Sequence, residues 1–286
     1  MDNLFEGKNV IVQGITGSHG RFQTAAMIKA GTHIVAGVTP GKGGELVESV
    51  PVYNTVADAQ KNHTVDITVI FVPAPFAKAA LLEAINANIP LVICITEGIP
   101  VHDMLEVNEK LRTSTSTLLG PNSPGALIPG GNKLGIIPAH MGLEGSVAIV
   151  SRSGTLTYET MASLSQKGIG QRYIIGIGGD TIHGLGYIDC LELFENDPLV
   201  EKIVLIGEIG GQDEVIAAAY IKNHIAKPVF AYIAGHSAPK GVQLGHAGAI
   251  LGSESESAQA KTMVLAKSGA HTAVSISSLV SLISGE

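Results

Sequence analysis

Asn9-Val10-Ile11-Val12-Gln13 is a short apolar run that breaks into Gly14-Ile15-Thr16-Gly17-Ser18-His19-Gly20, after which Arg21 to Ala30 reads as a helix stopped by Gly31. Strand, glycine turn and helix in that order open a βαβ unit. Gly14, Gly17 and Gly20 are spaced G-x-x-G-x-x-G, one residue longer than the dinucleotide fingerprint. At such a turn the first amides of the helix point outward and the helix dipole favours an anion, so a phosphate or pyrophosphate fits there. Thr16 and Ser18 add hydroxyl donors. A tight structural turn explains a lone glycine pattern about as well, but its place in the first βα unit favours binding.

Outward from this stretch the alternation continues. Strands are expected at 33–38, 66–72 and 91–96, and helices at 55–61, 76–86 and 101–112. It resumes with strands at 146–150, 173–177, 202–206, 228–234 and 272–274 and helices at 155–167, 187–196, 214–224, 257–268 and 277–283. Between Pro121 and Gly145 the pattern fails in a run of prolines and glycines too dense for a core element. The expected class is α/β with parallel sheets, a first domain over 1–121, a connection over 122–145 and a second domain over 146–286.

Composition agrees. Among 286 residues 45% are apolar, 15% are charged and the net charge is −7, which excludes a disordered chain and disfavours a basic nucleic-acid-binding face. Mean hydropathy is +0.31, yet no apolar run approaches the roughly 20 residues of a membrane span. Strands buried on both faces of a parallel sheet account for the hydropathy. The two cysteines, Cys94 and Cys190, read as reduced and buried, and Met1 to Lys8 has no apolar core of a signal peptide. A cytoplasmic protein is the expectation.

Three further loops leave strand ends in the first half: Pro40-Gly41-Lys42-Gly43-Gly44, Pro73-Ala74-Pro75-Phe76 and Thr96-Glu97-Gly98-Ile99-Pro100. That edge is where open α/β sheets bind ligands. The second strand runs into Thr39-Pro40-Gly41-Lys42 instead of an acidic residue that would hold an NAD ribose. This counts against NAD, disfavours an oxidoreductase that uses it, and fits a 3′- or 2′-phosphorylated nucleotide better. In the second half Ser151-Arg152-Ser153-Gly154-Thr155 joins strand to helix, a second candidate anion site that is also an ordinary N-cap by Ser153. Tyr158 and Glu159 follow one turn later. None of the ten histidines has metal-ligand spacing of the H-E-x-x-H kind, and no metal site is expected. His246 stands among small residues in Gly245-His246-Ala247-Gly248-Ala249, open to approach from several sides. Glu208 and Asp180 lie beside glycines, where a carboxylate orients a histidine or is merely solvated. Neither a G-x-S-x-G elbow nor a P-loop occurs.

Taken in order, these motifs and Gly120-Pro121-Asn122, Gly176-Ile177-Gly178-Gly179-Asp180 and Gly207-Glu208-Ile209-Gly210-Gly211 resemble the α subunits of succinyl-CoA synthetase (succinate–CoA ligase, nucleoside-diphosphate-forming), over about Asn9 to Gly252. The resemblance implies a Rossmann-like CoA-binding domain followed by a flavodoxin-like ligase domain. It implies that Thr16, Gly17, Ser18 and His19 hold CoA phosphates, with Lys42 and Ile95-Thr96-Glu97 also at the CoA. His246 becomes the phosphorylated residue, with Glu208 hydrogen-bonded to it, Ser153 and Gly154 at the phosphoryl group and Tyr158 at the succinyl group. It further implies a β subunit, in an αβ or α₂β₂ assembly, holding ATP or GTP with Mg²⁺. Neither a nucleic acid nor a membrane is implied as partner.

The chain departs from the pattern at His19, where Gln is usual, and at Ser123, where Cys is usual. Ser253-Glu254-Ser255-Glu256 is acidic where the family is Gly/Lys-rich, and Gly241-Val242-Gln243-Leu244 lacks the usual basic residue. A malate–CoA or other dicarboxylate–CoA ligase subunit and a non-catalytic CoA-binding protein of the same fold are the alternatives.

Overall fold

All four side chains of β1 (Val10–Gln13) are buried, as expected for a strand covered on both faces. The chain is described by a computed structural model at residues 5, 8–237, 246 and 248–286. It forms two units, one of the described residues up to Ile137 with Ile182–Gly184, the other of Pro138–Thr181 and the described residues from Leu185 onward.

In the first unit β1 is followed by α1 (Ser18–Lys29), β2 (Ile34–Val38), β3 (Leu46–Val47), β4 (Val50–Tyr53), α2 (Val56–Gln60), β5 (Ile67–Ile70), α3 (Ala74–Asn86), β6 (Leu91–Cys94), α4 (Val101–Arg112) and β7 (Thr117–Leu119). The sheet order is β3-β4-β2-β1-β5-β6-β7. Every pair is parallel except β3 with β4. Without the β3 edge this is the doubly wound dinucleotide-fold order, whose direction reverses between β1 and β5 and opens a crevice at their carboxyl ends.

Two features of this unit escape a reading by pattern. The β3–β4 hairpin turns through Glu48 (φ 52°) and Ser49 (φ 65°), a primed two-residue turn made without Asn or Gly. The stretch 122–145, expected to lack core elements, contains β8 (Gly125–Leu127) and β9 (Lys133–Gly135), paired antiparallel and buried. Its glycines let the strands meet. A Cβ on Gly125 (φ 89°) would lie 1.9 Å from the carbonyl oxygen of Leu134, and one on Gly135 (φ 122°) would lie 2.6 Å from that of Pro124.

The second unit contains β10 (Glu144–Ser151), α5 (Gly154–Gln166), β11 (Gln171–Gly176), α6 (Tyr187–Asn196), β12 (Lys202–Glu208), α7 (Asp213–His224), β13 (Val229–Ala234), α8 (Ala258–Lys267), β14 (His271–Ala273) and α9 (Ile276–Ser284). Its parallel strands run β14-β13-β12-β10-β11, the flavodoxin-like order with its switch between the first and third strands. Ser151 ends β10 and Glu208 ends β12, so both lie at the switch point. Among the described residues no helix is long and apolar enough to cross a membrane.

Candidate functional site

In the first unit the glycine turn is held by backbone approach. The Gly14 amide (φ 79°) donates to Val38 O at 2.8 Å, and that of Gly17 to Gly14 O at 3.1 Å. A Cβ on Gly20 would stand 2.2 Å from Gly14 O, so only glycine fits while the turn keeps this shape. Gly17 takes the N-cap position of α1 without a side-chain cap, and the first turn carries no acidic residue. The helix therefore offers exposed amides and an uncompensated dipole at Gly17, Ser18 and His19, all exposed. Thr16 is half-buried, and its hydroxyl meets that of Thr39 at 3.2 Å. Arg21, which no motif singled out, donates from Nε to Thr16 O at 3.0 Å.

The loop after β2 is organised by Asn54, whose Oδ1 accepts from the amides of Gly41 (2.9 Å) and Gly43 (3.0 Å). Lys42 is exposed, its Nζ 3.1 Å from Glu45. Ile95, Thr96 and Glu97 follow β6. The Thr96 hydroxyl donates to Val72 O at 2.7 Å, its carbonyl accepts from the Asn122 amide, and Glu97 is exposed. These loops all leave carboxyl ends of strands flanking the crevice.

In the second unit His246 and Glu208, 38 residues apart, come together: Nδ1 of His246 is 2.8 Å from Oε2 of Glu208. With Nδ1 engaged by a carboxylate, the imidazole carries its proton there and Nε2 keeps its lone pair. Glu208 is almost fully buried and His246 about one-quarter exposed. Arg152 lies under this pair, its side chain 4% exposed. Its Nε stands 3.5 Å from Glu208 Oε1, its Nη1 3.1 Å from Asp213 Oδ2, and its Nη2 donates to Asp180 O at 3.4 Å. Burial works against the Arg152 charge, but nearby Tyr187 and the acidic groups Glu214, Glu208 and Asp213 hold its basicity above the ordinary arginine value. Glycines clear the space: a Cβ on Gly179 would lie 2.2 Å from His246 Cγ, and one on Gly248 would lie 3.0 Å from Arg152 Nη2.

Ser153 caps α5 by accepting from the Leu156 amide at 3.4 Å, and Ser151 Oγ accepts from the Ser153 amide at 3.0 Å. The first turn of α5 has no acidic residue, which leaves the Gly154 end open to an anion. Tyr158 is half-buried one turn on, and burial pushes its hydroxyl pKa up. Gly245, Ala247 and the 241–244 run lie outside the described residues. The acidic 253–256 tract is structured: the Glu256 carboxylate accepts from the amides of Gly252 (2.9 Å) and Ser253 (3.0 Å), and Glu256 O accepts from the Gly210 amide (3.1 Å).

Arg152 stands inside a quoted motif, yet its buried, bridging role has no local signature. Asn54, which organises the loop after β2, likewise carries none. His102, Asp103 and Glu106 bring ligand atoms within 4.8 Å of one another on α4. Lys78 Nζ already meets Asp103 (3.2 Å) and Glu106 (2.6 Å) there, so an ammonium supplies the positive charge.

The family model described as the CoA binding domain matches residues 5–98, and that described as CoA-ligase matches residues 150–271. The chain is similar to "Succinate--CoA ligase (ADP-forming) subunit alpha" of Aquifex aeolicus, 52% identical over 92% of this chain and 87% of that one. It is also similar to the subunit alpha 1 of that name from Archaeoglobus fulgidus, 47% identical over 96% and 94%. Among solved structures it is similar to ATP citrate lyase from Methanothrix soehngenii in complex with citrate and coenzyme A, with a TM-score of 0.85 and 26% identity. That likeness covers 99% of this chain but only 51% of the lyase, so the chain spans about half of its length. The dinucleotide-forming acetyl-coenzyme A synthetase 1 of Ca. Korarchaeum cryptofilum shares the fold, with a TM-score of 0.78 and 22% identity over 98% of this chain and 60% of that one.

Proposed function

The chain belongs to the family of succinate–CoA ligase alpha subunits, and from that premise we propose how its two units divide the reaction. It is a ligase subunit that interconverts succinyl-CoA, phosphate and a nucleoside diphosphate with succinate, CoA and the triphosphate. The first unit holds CoA, its phosphates on the Gly17, Ser18 and His19 amides with Thr16, Lys42 and the 95–97 loop beside them.

Phosphate attacks the thioester carbonyl, and the C–S bond breaks to release CoA and leave succinyl phosphate. Nε2 of His246 attacks phosphorus, the P–O bond to the succinyl group breaks, and succinate leaves. Neutral imidazole with its proton on Nδ1 is nucleophilic at Nε2. Glu208 holds the Nδ1 proton and stabilises the positive charge that develops on the ring. The α5 terminus at Ser153 and Gly154 receives the phosphoryl oxygens, and Tyr158 lies beside the succinyl group. The loop bearing phosphohistidine then delivers it to a nucleoside diphosphate, held with Mg²⁺ in a β subunit of an αβ or α₂β₂ assembly in the cytoplasm.

The observation that carries this reading is the 2.8 Å contact between His246 Nδ1 and Glu208 Oε2. The test mixes the chain with the β subunit of its own genome, Mg²⁺ and γ-labelled ATP or GTP, and looks for acid-labile label. Label on the wild type and none on His246→Asn, discharged by succinate plus CoA, supports it. Discharge by malate selects the other dicarboxylate. A folded, CoA-binding complex that takes no label leaves only a CoA-binding protein.

A further inference from the structure

A second pair of opposite charges lies beneath the Glu208–His246 contact, with no exposure to solvent at all. Glu214, in the first turn of α7, and Lys261, on α8, are each 0% exposed and joined through Glu214 Oε2 and Lys261 Nζ. Buried charges are costly to desolvate, and an apolar pair of the same volume is often as stable or more so. The pair's other contacts converge on one short segment. The ammonium also donates to Glu208 O at 2.8 Å and to Gly210 O. The other carboxylate oxygen, Oε1 of Glu214, accepts from the Glu208 amide at 3.1 Å and lies 3.4 Å from the Tyr187 hydroxyl, which donates to Ile206 O at 2.8 Å. Both backbone polar groups of Glu208 are thus tied to the pair. Gly207 admits it, since a Cβ there would stand 2.6 Å from Glu214 Cγ.

We infer that Lys261 and Glu214 are positioning residues for the phosphoryl-transfer step: they fix the backbone of Glu208 at the end of β12 so that its carboxylate meets Nδ1 of His246. The inference rests on the reading of His246 as the phosphorylated residue. A salt bridge kept only for stability is replaceable by well-packed apolar residues, whereas a positioning pair is not, because no apolar side chain holds the Glu208 amide and carbonyl.

The experiment uses the complex with the β subunit and compares wild type, Glu214→Gln and the double variant Lys261→Met/Glu214→Leu. Three quantities are read: melting temperature, KM for CoA against kcat, and the downfield ¹H NMR resonance of the hydrogen-bonded His246 Nδ1 proton, assigned by its loss in His246→Asn. The expected result is a double variant that folds, melts below wild type because the Glu208 amide and carbonyl lose these partners, and keeps its KM for CoA. Its kcat falls at least tenfold, and the Nδ1 resonance shifts or vanishes. Glu214→Gln, nearly isosteric, keeps an acceptor for the Glu208 amide but removes the counter-charge of Lys261; it is expected to melt below wild type, to shift the resonance and to lower kcat severalfold at constant KM. Wild-type kcat and an unmoved resonance in Glu214→Gln, or in a folded double variant, overturn the inference. If wild type takes no label on His246 yet its resonance responds to these variants, the positioning stands and the phosphohistidine reading falls.

Discussion

His246 and Glu208 are 38 residues apart, and their side chains meet at 2.8 Å between Nδ1 and Oε2. The contact assigns the tautomer and so names the nucleophilic nitrogen. His246→Asn is expected to abolish acid-labile phosphorylation. Glu208→Gln keeps the shape but loses the charge that stabilises the ring, and a fall of about 100-fold in phosphoryl transfer is expected, within the range for a lost acid–base partner. Quench-flow measurement of label on the complex checks both. A Glu208→Gln variant at wild-type rate would remove Glu208 from the mechanism.

Gly179 is the floor under the imidazole. Gly179→Ala brings a methyl to 2.2 Å from His246 Cγ, so the ring must move by about an ångström. Displacements of that size cost about 100-fold in rate. The variant is expected to fold and bind CoA as wild type does while phosphorylation slows to that degree.

The two parts of the proposed CoA site are expected to respond differently. Gly20→Ala forces a Cβ against the Gly14 carbonyl, and the turn can relieve it only by opening. Calorimetry should show CoA affinity falling by more than about tenfold. Lys42 is a half-exposed cation already near Glu45, so Lys42→Ala should weaken CoA only about three- to fivefold, the scale of an exposed ion pair. That loss should shrink as salt is raised.

Lys133 gives a pH signature of the first unit. Burial pushes its ammonium down to about 8 from an ordinary 10.5, with Gln23 Oε1 at 2.8 Å and Gly135 O as acceptors. Between these two values the unfolded chain holds a proton that the folded chain has lost, so stability rises with pH through this window. Below it the penalty is present in full, and above it the penalty is gone. Lys133→Met removes the effect. The melting temperature of wild type relative to the variant is therefore expected to climb as pH rises from 7 to 10, and a flat difference would contradict the assignment.

Most of the fold was legible because it depends on short-range pattern. The helices that the pattern predicts over 101–112 and 187–196 have those same bounds in the structure. The hairpin through Glu48 and Ser49 was not legible, because its residues lack turn chemistry, and the β8–β9 hairpin hid in a stretch whose glycines looked like linker. Of the candidate site, the glycine turn, the Ser153 cap, Glu208 and His246 stood out because glycines flank them. Arg152, Glu214 and Lys261 did not, because a buried charge looks like any surface charge until its neighbours are known.

The sequence by itself determined the α/β class, the two nucleotide-fold-like halves and the residue types at each strand end, since periodicity and turn residues are local properties. Only the tertiary structure decided which of them meet. Strand order places the ends of β10 and β12 side by side, and packing of α8 carries Lys261 to Glu208 O across 53 residues of chain. Charge pairing in a buried site depends on distance and desolvation in three dimensions, and neither is written in the spacing of residues along the chain.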